Sequence, residues 1–242
     1  MLELFHTVAE EDRCPYLHDR NWRMEYRGIL QLSPDEYEEL LARGWRRNGS
    51  YFFRPQCSNC AECRSLRVDV DGFTPSKSQR KCLKRNADVE LVVRPPTVSE
   101  DHIRLFKAYH DDMTERRGWP IHEMDEETYY TGFISRDYEF AREFVYLRDS
   151  IIIGIGLVDV VPGATSSVYF FHDPAWRTDG PGTFSILKEI EFAQQTNRPH
   201  VYLGYCVDDC PSMSYKARFG PHRFLQGFVK DHQSPVWGKD EG

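Results

Sequence analysis

The sequence predicts an α+β (mixed α/β) protein in two parts: a smaller cysteine-containing N-terminal domain over residues 1–95 and a larger layered domain over residues 96–242. Three observations predict it. The chain has 242 residues, 40% hydrophobic and 14% aromatic, which suits one large domain or two small ones and is too apolar for a disordered chain. The pattern changes at Arg94-Pro95-Pro96, from short strands around a cysteine cluster to helices and strands of regular period. Charge is uneven as well: Arg43 to Asn86 holds eleven basic residues against three acidic ones, in a chain of net charge -7.

Each element has a local reason. Ser33, Pro34 and Glu36 form an N-cap and capping box, so a helix runs from Pro34 to Arg43 and stops at Gly44. Ser50 to Arg54 and Arg64 to Val70 read as strands, Ser76 to Arg85 as a basic helix capped by Ser76, and Val89 to Val93 as a strand before the Pro-Pro linker. Glu100 to Arg116 places Leu105, Phe106, Tyr109 and Met113 on one helical face and ends at Gly118. Glu126 to Ile134 is expected as a second helix. Glu143–Arg148, Ile151–Val161 and Ser166–His172 follow as strands, then a helix from Gly182 to Gln195 and a strand from His200 to Val207. A short helix near Met213 to Phe219 and a strand near Phe224 to Val229 close the chain.

The resulting order, α-α-β-β-β-α-β-α-β, is that of a GNAT-like acyltransferase domain, whose mixed sheet splays to admit an acyl donor. Arg177-Thr178-Asp179-Gly180-Pro181-Gly182 stands at the strand-to-helix turn where such a domain meets its donor's phosphates. Glycines there allow close backbone approach, and free N–H groups at a helix start attract an anion, although Pro181 removes one donor.

Cys57, Cys60 and Cys63 have the C-x2-C-x2-C spacing that grips a tetrahedral metal, and Cys14 is the candidate fourth ligand. A structural zinc ion and an iron–sulfur cluster both fit four thiolates. Seven cysteines behind an N-terminus without a basic and apolar leader speak against a disulfide framework and for the cytoplasm. The longest apolar run, Ile151 to Val161, is too short to span a bilayer, so no membrane partner is expected. The net charge alone argues against nucleic acid, whereas the basic block is a plausible footprint for a phosphate backbone.

Several motifs together resemble one family. They are Cys14-Pro15-Tyr16-Leu17, Gly44-Trp45-Arg46-Arg47-Asn48-Gly49, Tyr51 to Pro55, the three-cysteine cluster and Phe73-Thr74-Pro75-Ser76-Lys77-Ser78-Gln79-Arg80. Near the end come Tyr202-Leu203-Gly204-Tyr205 and Cys210 to Phe219. The chain resembles the arginyl-tRNA–protein transferase family, most closely its bacterial aspartate/glutamate leucyltransferase branch, over nearly its whole length. The resemblance implies transfer of an amino acid, leucine by nearest likeness and arginine as the alternative, from aminoacyl-tRNA. The acceptor implied is the N-terminal amine of proteins beginning with Asp or Glu, which then enter N-degron proteolysis. Two departures stand out: Leu17 replaces the second cysteine of the eukaryotic relatives' first motif, and Gly180-Pro181-Gly182 replaces a common Ser-Leu-Gly.

Ester-to-amide exchange is downhill, so the chemistry itself is expected to need no cofactor. Tyr215 and Lys216 are the candidates for proton transfer or oxyanion support. Arg46 and Arg47, with Arg218 behind them, are candidates for the acceptor carboxylate, and Asp208 and Asp209 for the acceptor amine. Lys77, Gln79, Arg80, Lys81 and Lys84, with Arg177, Gly180 and Gly182, are the candidates for the tRNA end. Two other classes also fit parts of the sequence: an acyl-CoA-dependent GNAT N-acyltransferase, and a non-catalytic zinc module that binds RNA.

Overall fold

A computed structural model describes residues 1–121, 123–134 and 136–238. The Ser33 capping box forms as its spacing requires: Glu36 N–H donates to Ser33 Oγ at 3.2 Å, and Ser33 N–H donates to the Glu36 carboxylate at 2.9 Å. The N-terminal half contains β1 (Leu2–Val8), β2 (Asp12–Arg13), β3 (Asn21–Trp22), β4 (Met24–Gln31), α1 (Pro34–Ala42), β5 (Arg46–Asn48), β6 (Tyr51–Pro55), β7 (Arg64–Asp69), α2 (Lys77–Arg85) and β8 (Glu90–Arg94). Then come α3 (Glu100–Arg117), α4 (Glu126–Tyr129), β9 (Ala141–Arg148), β10 (Ile151–Val161), β11 (Ala164–His172), α5 (Pro181–Gln195), β12 (His200–Cys206), α6 (Pro211–Ser214), β13 (His222–Leu225) and β14 (Trp237–Gly238).

The expected second helix is a four-residue α-turn that continues as a π-helix over Tyr130–Ile134. Thr131 and Gly132, both poor helix formers, sit in that stretch. β1, β4 and β5 are strands that hydrophobic pattern does not announce. The reason lies in β4, where Glu25 and Arg27 point inward and are buried. Each is buried because it is paired: Arg54 Nε donates to Glu25 at 2.5 Å, and Arg27 pairs with Glu3. The guanidiniums of Arg27 and Arg54 both stack on the fully buried Trp45 ring, at 5.3 Å and 4.5 Å.

Two main sheets result. One has four strands in the order β1-β4-β6-β5; the other has eight, in the order β14-β13-β7-β12-β11-β10-β9-β8. The boundary expected at residues 95/96 therefore cuts the larger sheet, because β7 and β8 lie before it and belong to that sheet. β7 is drawn in by Leu66 and Val68, both with no exposed surface. Arg94-Pro95-Pro96 ends an edge strand, a position where proline forfeits no ladder hydrogen bond.

α2 and α5 pack near one another over one core, around Trp176, Phe184 and Ile190. α3 and α4 pack with Ile155, Leu157 and Phe171 in a second. A third core, centred on Tyr37, Trp45, Phe52 and Phe140, joins the smaller sheet and α1 to β10. At that joint Asp159 of β10, fully buried, accepts from Arg47 Nε at 3.0 Å and from the Tyr37 hydroxyl at 2.9 Å. Among the described residues, no helix is long and apolar enough to cross a membrane.

Candidate active site

The large sheet opens where two neighbouring strands part. β11 and β12 run parallel and stay paired over only three residues, from Ala164 opposite His200 to Ser166 opposite Tyr202. Past that point β12 bulges: its register against β7 shifts between Tyr202 and Gly204. Gly204 takes φ +79°, a left-handed conformation that glycine adopts without steric cost. Ser167 to Phe170 of β11 and Leu203 to Tyr205 of β12 then line a cleft of about 440 Å³. This is the splayed mixed sheet expected of a GNAT-like domain. Gly182 and Glu189 of α5, Arg46 and Arg47 of β5, and Tyr215 and Lys216 from the turn after α6 complete the lining.

Tyr215 and Lys216, placed together by their sequence neighbourhood, both reach this cleft. Lys216 Nζ donates to the Tyr205 carbonyl at 2.7 Å, and burial lowers its ammonium to about 8. Burial pushes the Tyr215 phenol up to about 12, with a further push from the Glu189 carboxyl. A Cβ on Gly204 would stand 3.6 Å from Lys216 Nζ, an ordinary contact, so the positive φ and not crowding is what favours glycine there.

The two arginines of the Trp45-Arg46-Arg47 run meet different fates. Arg47 Nε and a terminal nitrogen grip Asp159, and its other nitrogen donates to the Gly49 carbonyl at 2.8 Å. Burial pulls its pKa down, but the Asp159 carboxylate more than offsets this. Arg46 is 4% exposed and donates to the Leu41 and Trp45 carbonyls and to Ser65. Its guanidinium lies over the Tyr202 and Tyr205 rings at 5.0 and 5.8 Å. Among the described residues it meets no carboxylate, its Nε has no hydrogen-bond partner, and burial lowers its pKa. A buried cation lacking a counter-charge at the wall of a cleft has the charge to attract an anion.

The other acceptor candidates stay outside the cleft. Asp208 and Asp209 are exposed beyond β12, and Asp208 takes Arg64 at 2.7 Å. Arg218 is exposed and lines a separate groove of about 230 Å³ between α2 and the start of α5, together with Gln79, Arg85, Gly180 and Tyr215. Tyr215 lines both hollows, so the groove and the cleft are neighbours. Lys77, Arg80, Lys81 and Lys84 are exposed on α2. Gln79 is buried: its Oε1 accepts from Ser76 N–H at 2.7 Å and its Nε2 donates to the Arg218 carbonyl at 3.2 Å. Arg177 pairs with Asp112 of α3 and is absent from both hollows. Gly180, at φ +77°, is the N-cap of α5, and Gly182 reaches the cleft.

Cys14, Cys57, Cys60 and Cys63 all line one hollow of about 360 Å³, which shares Tyr16, Phe53 and Tyr205 with the cleft. Burial and the charges of the other three thiols push Cys63 up to about 12. Cys14, Cys57 and Cys60 accept from Leu17 N–H, Arg23 N–H and the Arg20 guanidinium at 3.4, 3.4 and 3.3 Å. Yet among the described residues no three His, Cys, Asp or Glu side chains are gathered closely enough to hold a metal ion. The four sulfurs share one hollow without being gathered into a ligand set.

Glu189 and Ser167 are cleft residues that motif reading passed over. The available signal was a glutamate on the buried stripe of α5, between Ile186, Ile190 and Ala193, where an unpaired carboxylate is costly.

The cysteine hollow, the first half of the cationic helix and the cleft fall within two family matches. The model for "Arginine-tRNA-protein transferase, N terminus" matches residues 12–81, and that for its C terminus matches residues 101–226. An aspartate/glutamate leucyltransferase of Campylobacter jejuni is 37% identical over 241 residues, covering 99% of this chain and all of that protein. Those of Helicobacter hepaticus and Chromohalobacter salexigens are 33% and 35% identical, covering 98% and 97% of this chain and 98% and 94% of theirs. With both halves matched and the relatives aligned almost end to end, the chain belongs to the arginine-tRNA-protein transferase family.

Proposed function

We infer that the protein transfers leucine from a charged tRNA to the N-terminal amine of proteins beginning with Asp or Glu, in the cytoplasm, marking them for degradation. The observation that carries this reading is Arg46, a buried guanidinium without a carboxylate that faces the same cleft as Lys216. The acidic side chain of the acceptor supplies the missing charge, which sets its α-amine beside the reacting ester. The acceptor amine, with an ordinary pKa of roughly 7.7–8.0, is partly neutral near neutral pH. Holding amine and ester together contributes up to about 7–11 kcal/mol in ideal intramolecular cases. Lys216 supports the developing oxyanion and hands a proton to the departing ribose oxygen. Lys77, Arg80, Lys81 and Lys84 hold tRNA phosphates, and the groove ending at Tyr215 leads the esterified end inward.

The test uses the purified chain, leucyl- and arginyl-tRNA, and peptides beginning with Asp, Glu, Asn or Gln. Leucine should pass to the Asp and Glu peptides, and the neutral isosteres should be poor acceptors. Transfer from acyl-CoA without tRNA, or equal use of Asn and Gln, would sink the reading. Replacing Lys77, Lys81 and Lys84 with Gln should weaken tRNA binding. The slope of log affinity against log salt should fall by up to about one for each phosphate no longer neutralised. Binding with an unchanged salt slope would remove α2 from the interface.

A further inference from the structure

Glu189 is the one carboxyl among the described residues that line the cleft, where the cations are Arg46, Arg47 and Lys216. It sits in the third turn of α5 and is 4% exposed. Its Oε2 accepts from the Ser167 hydroxyl of β11 at 2.5 Å. Among the described residues no cation pairs with it, and the adjacent Lys188 turns to Glu191 instead. Its titratable neighbours are Tyr146 of β9, which packs behind α5, and Tyr215 from the turn after α6; Lys216 lines the same cleft. The cleft is also lined by Tyr109 of α3, His172 of β11 and the two arginines of β5.

We propose that Glu189 is the base that takes the proton from the attacking α-amine. The inference rests on the transfer reaction proposed above. As the amine nitrogen bonds to the ester carbonyl carbon, one N–H proton passes to the Glu189 carboxylate. The C–O bond to the ribose then breaks, and the ribose oxygen takes a proton from Lys216. Glu189 later loses its proton to solvent and Lys216 regains one, so the protons balance. The division follows charge: attack leaves a cationic nitrogen, which a carboxylate neutralises, whereas the departing oxygen is anionic and suits an ammonium donor. Burial raises Glu189 to about 8, against a smaller downward pull from Ser167. That is close to the amine it would serve, which is the condition for efficient proton transfer.

The test compares wild type with Glu189→Gln, reading kcat/KM for an Asp-starting peptide between about pH 5.5 and 7, on the acid limb. In wild type, amine and carboxyl must each lose a proton, so log kcat/KM should rise with a slope near two. E189Q should be slower by about 100-fold or more and show a slope near one. Its melting temperature at pH 9 should equal or exceed that of wild type. A raised folded-state pKa means that the stability of the neutral carboxyl is present at low pH and lost as pH rises through about 8, and the amide never ionises. Ser167→Ala, which removes the hydroxyl that lowers Glu189, should move the acid limb to higher pH. Wild-type rates in E189Q overturn the proposal, as does a lower melting temperature with the slope still near two, the mark of a merely structural role. Failure of wild type to transfer leucine overturns the reaction reading instead.

Discussion

Replacing Asp159 with alanine should lower the free energy of unfolding by about 3–5 kcal/mol. The carboxylate has no exposed surface and answers both Arg47 of the smaller sheet and the Tyr37 hydroxyl of α1 from its own place in the larger sheet. Without it, the Arg47 guanidinium stays buried against the Tyr138 and Phe140 rings, at 5.4 and 5.7 Å, with only the Gly49 carbonyl to receive its protons. An uncompensated buried cation costs more than the pair ever contributes, so the loss measures the orphaned charge. Removing both charges, as Arg47→Met with Asp159→Leu, should therefore recover much of the stability. Denaturant unfolding of the single and double variants checks this. A single variant as stable as wild type would show that Arg47 relaxes into water and that the joint between the sheets is looser than its geometry implies.

Lys216→Met should cost turnover about 100- to 10,000-fold while leaving the fold intact. Burial already opposes the ammonium, so losing it removes no stability at neutral pH, and methionine fills a similar volume. The sign of the pH effect follows. Lys216 is protonated below about 8, so wild-type transfer, after rising along the acid limb, should pass a maximum and fall above that value. The variant should lack this fall, and the gap between the two should narrow at high pH. Transfer rates across that range, with melting curves as control, make the comparison. A variant with full activity, or one whose loss tracks its melting temperature, would remove Lys216 from the chemistry.

Lys216 is legible in the sequence because it lies in a motif and directly after the strand at which a GNAT-like sheet opens. Arg46 and Arg47 are legible as a pair of forks near the cleft, but not as opposites. Arg47 is engaged by an acid 112 positions along the chain, and only that pairing leaves its neighbour as the cation without a counter-charge. Asp208 and Asp209 look equally suited to an amine, yet the turn after β12 puts them in solvent.

By itself the sequence determined the pieces whose energetics act over three or four residues. These are the capping boxes at Ser33 and Ser76, the helices over Pro34–Ala42 and Lys77–Arg85, the glycine turn before α5, and the strands of β9 to β12. The tertiary structure alone decided that β7 lies between β13 and β12, that the boundary near residue 95 runs through a sheet, and that Glu189 is buried at the wall of a cleft. A cap or a period is set by neighbours in the chain. The free energy of a charge is set by water and counter-charges around it, and folding draws both from residues distant in sequence.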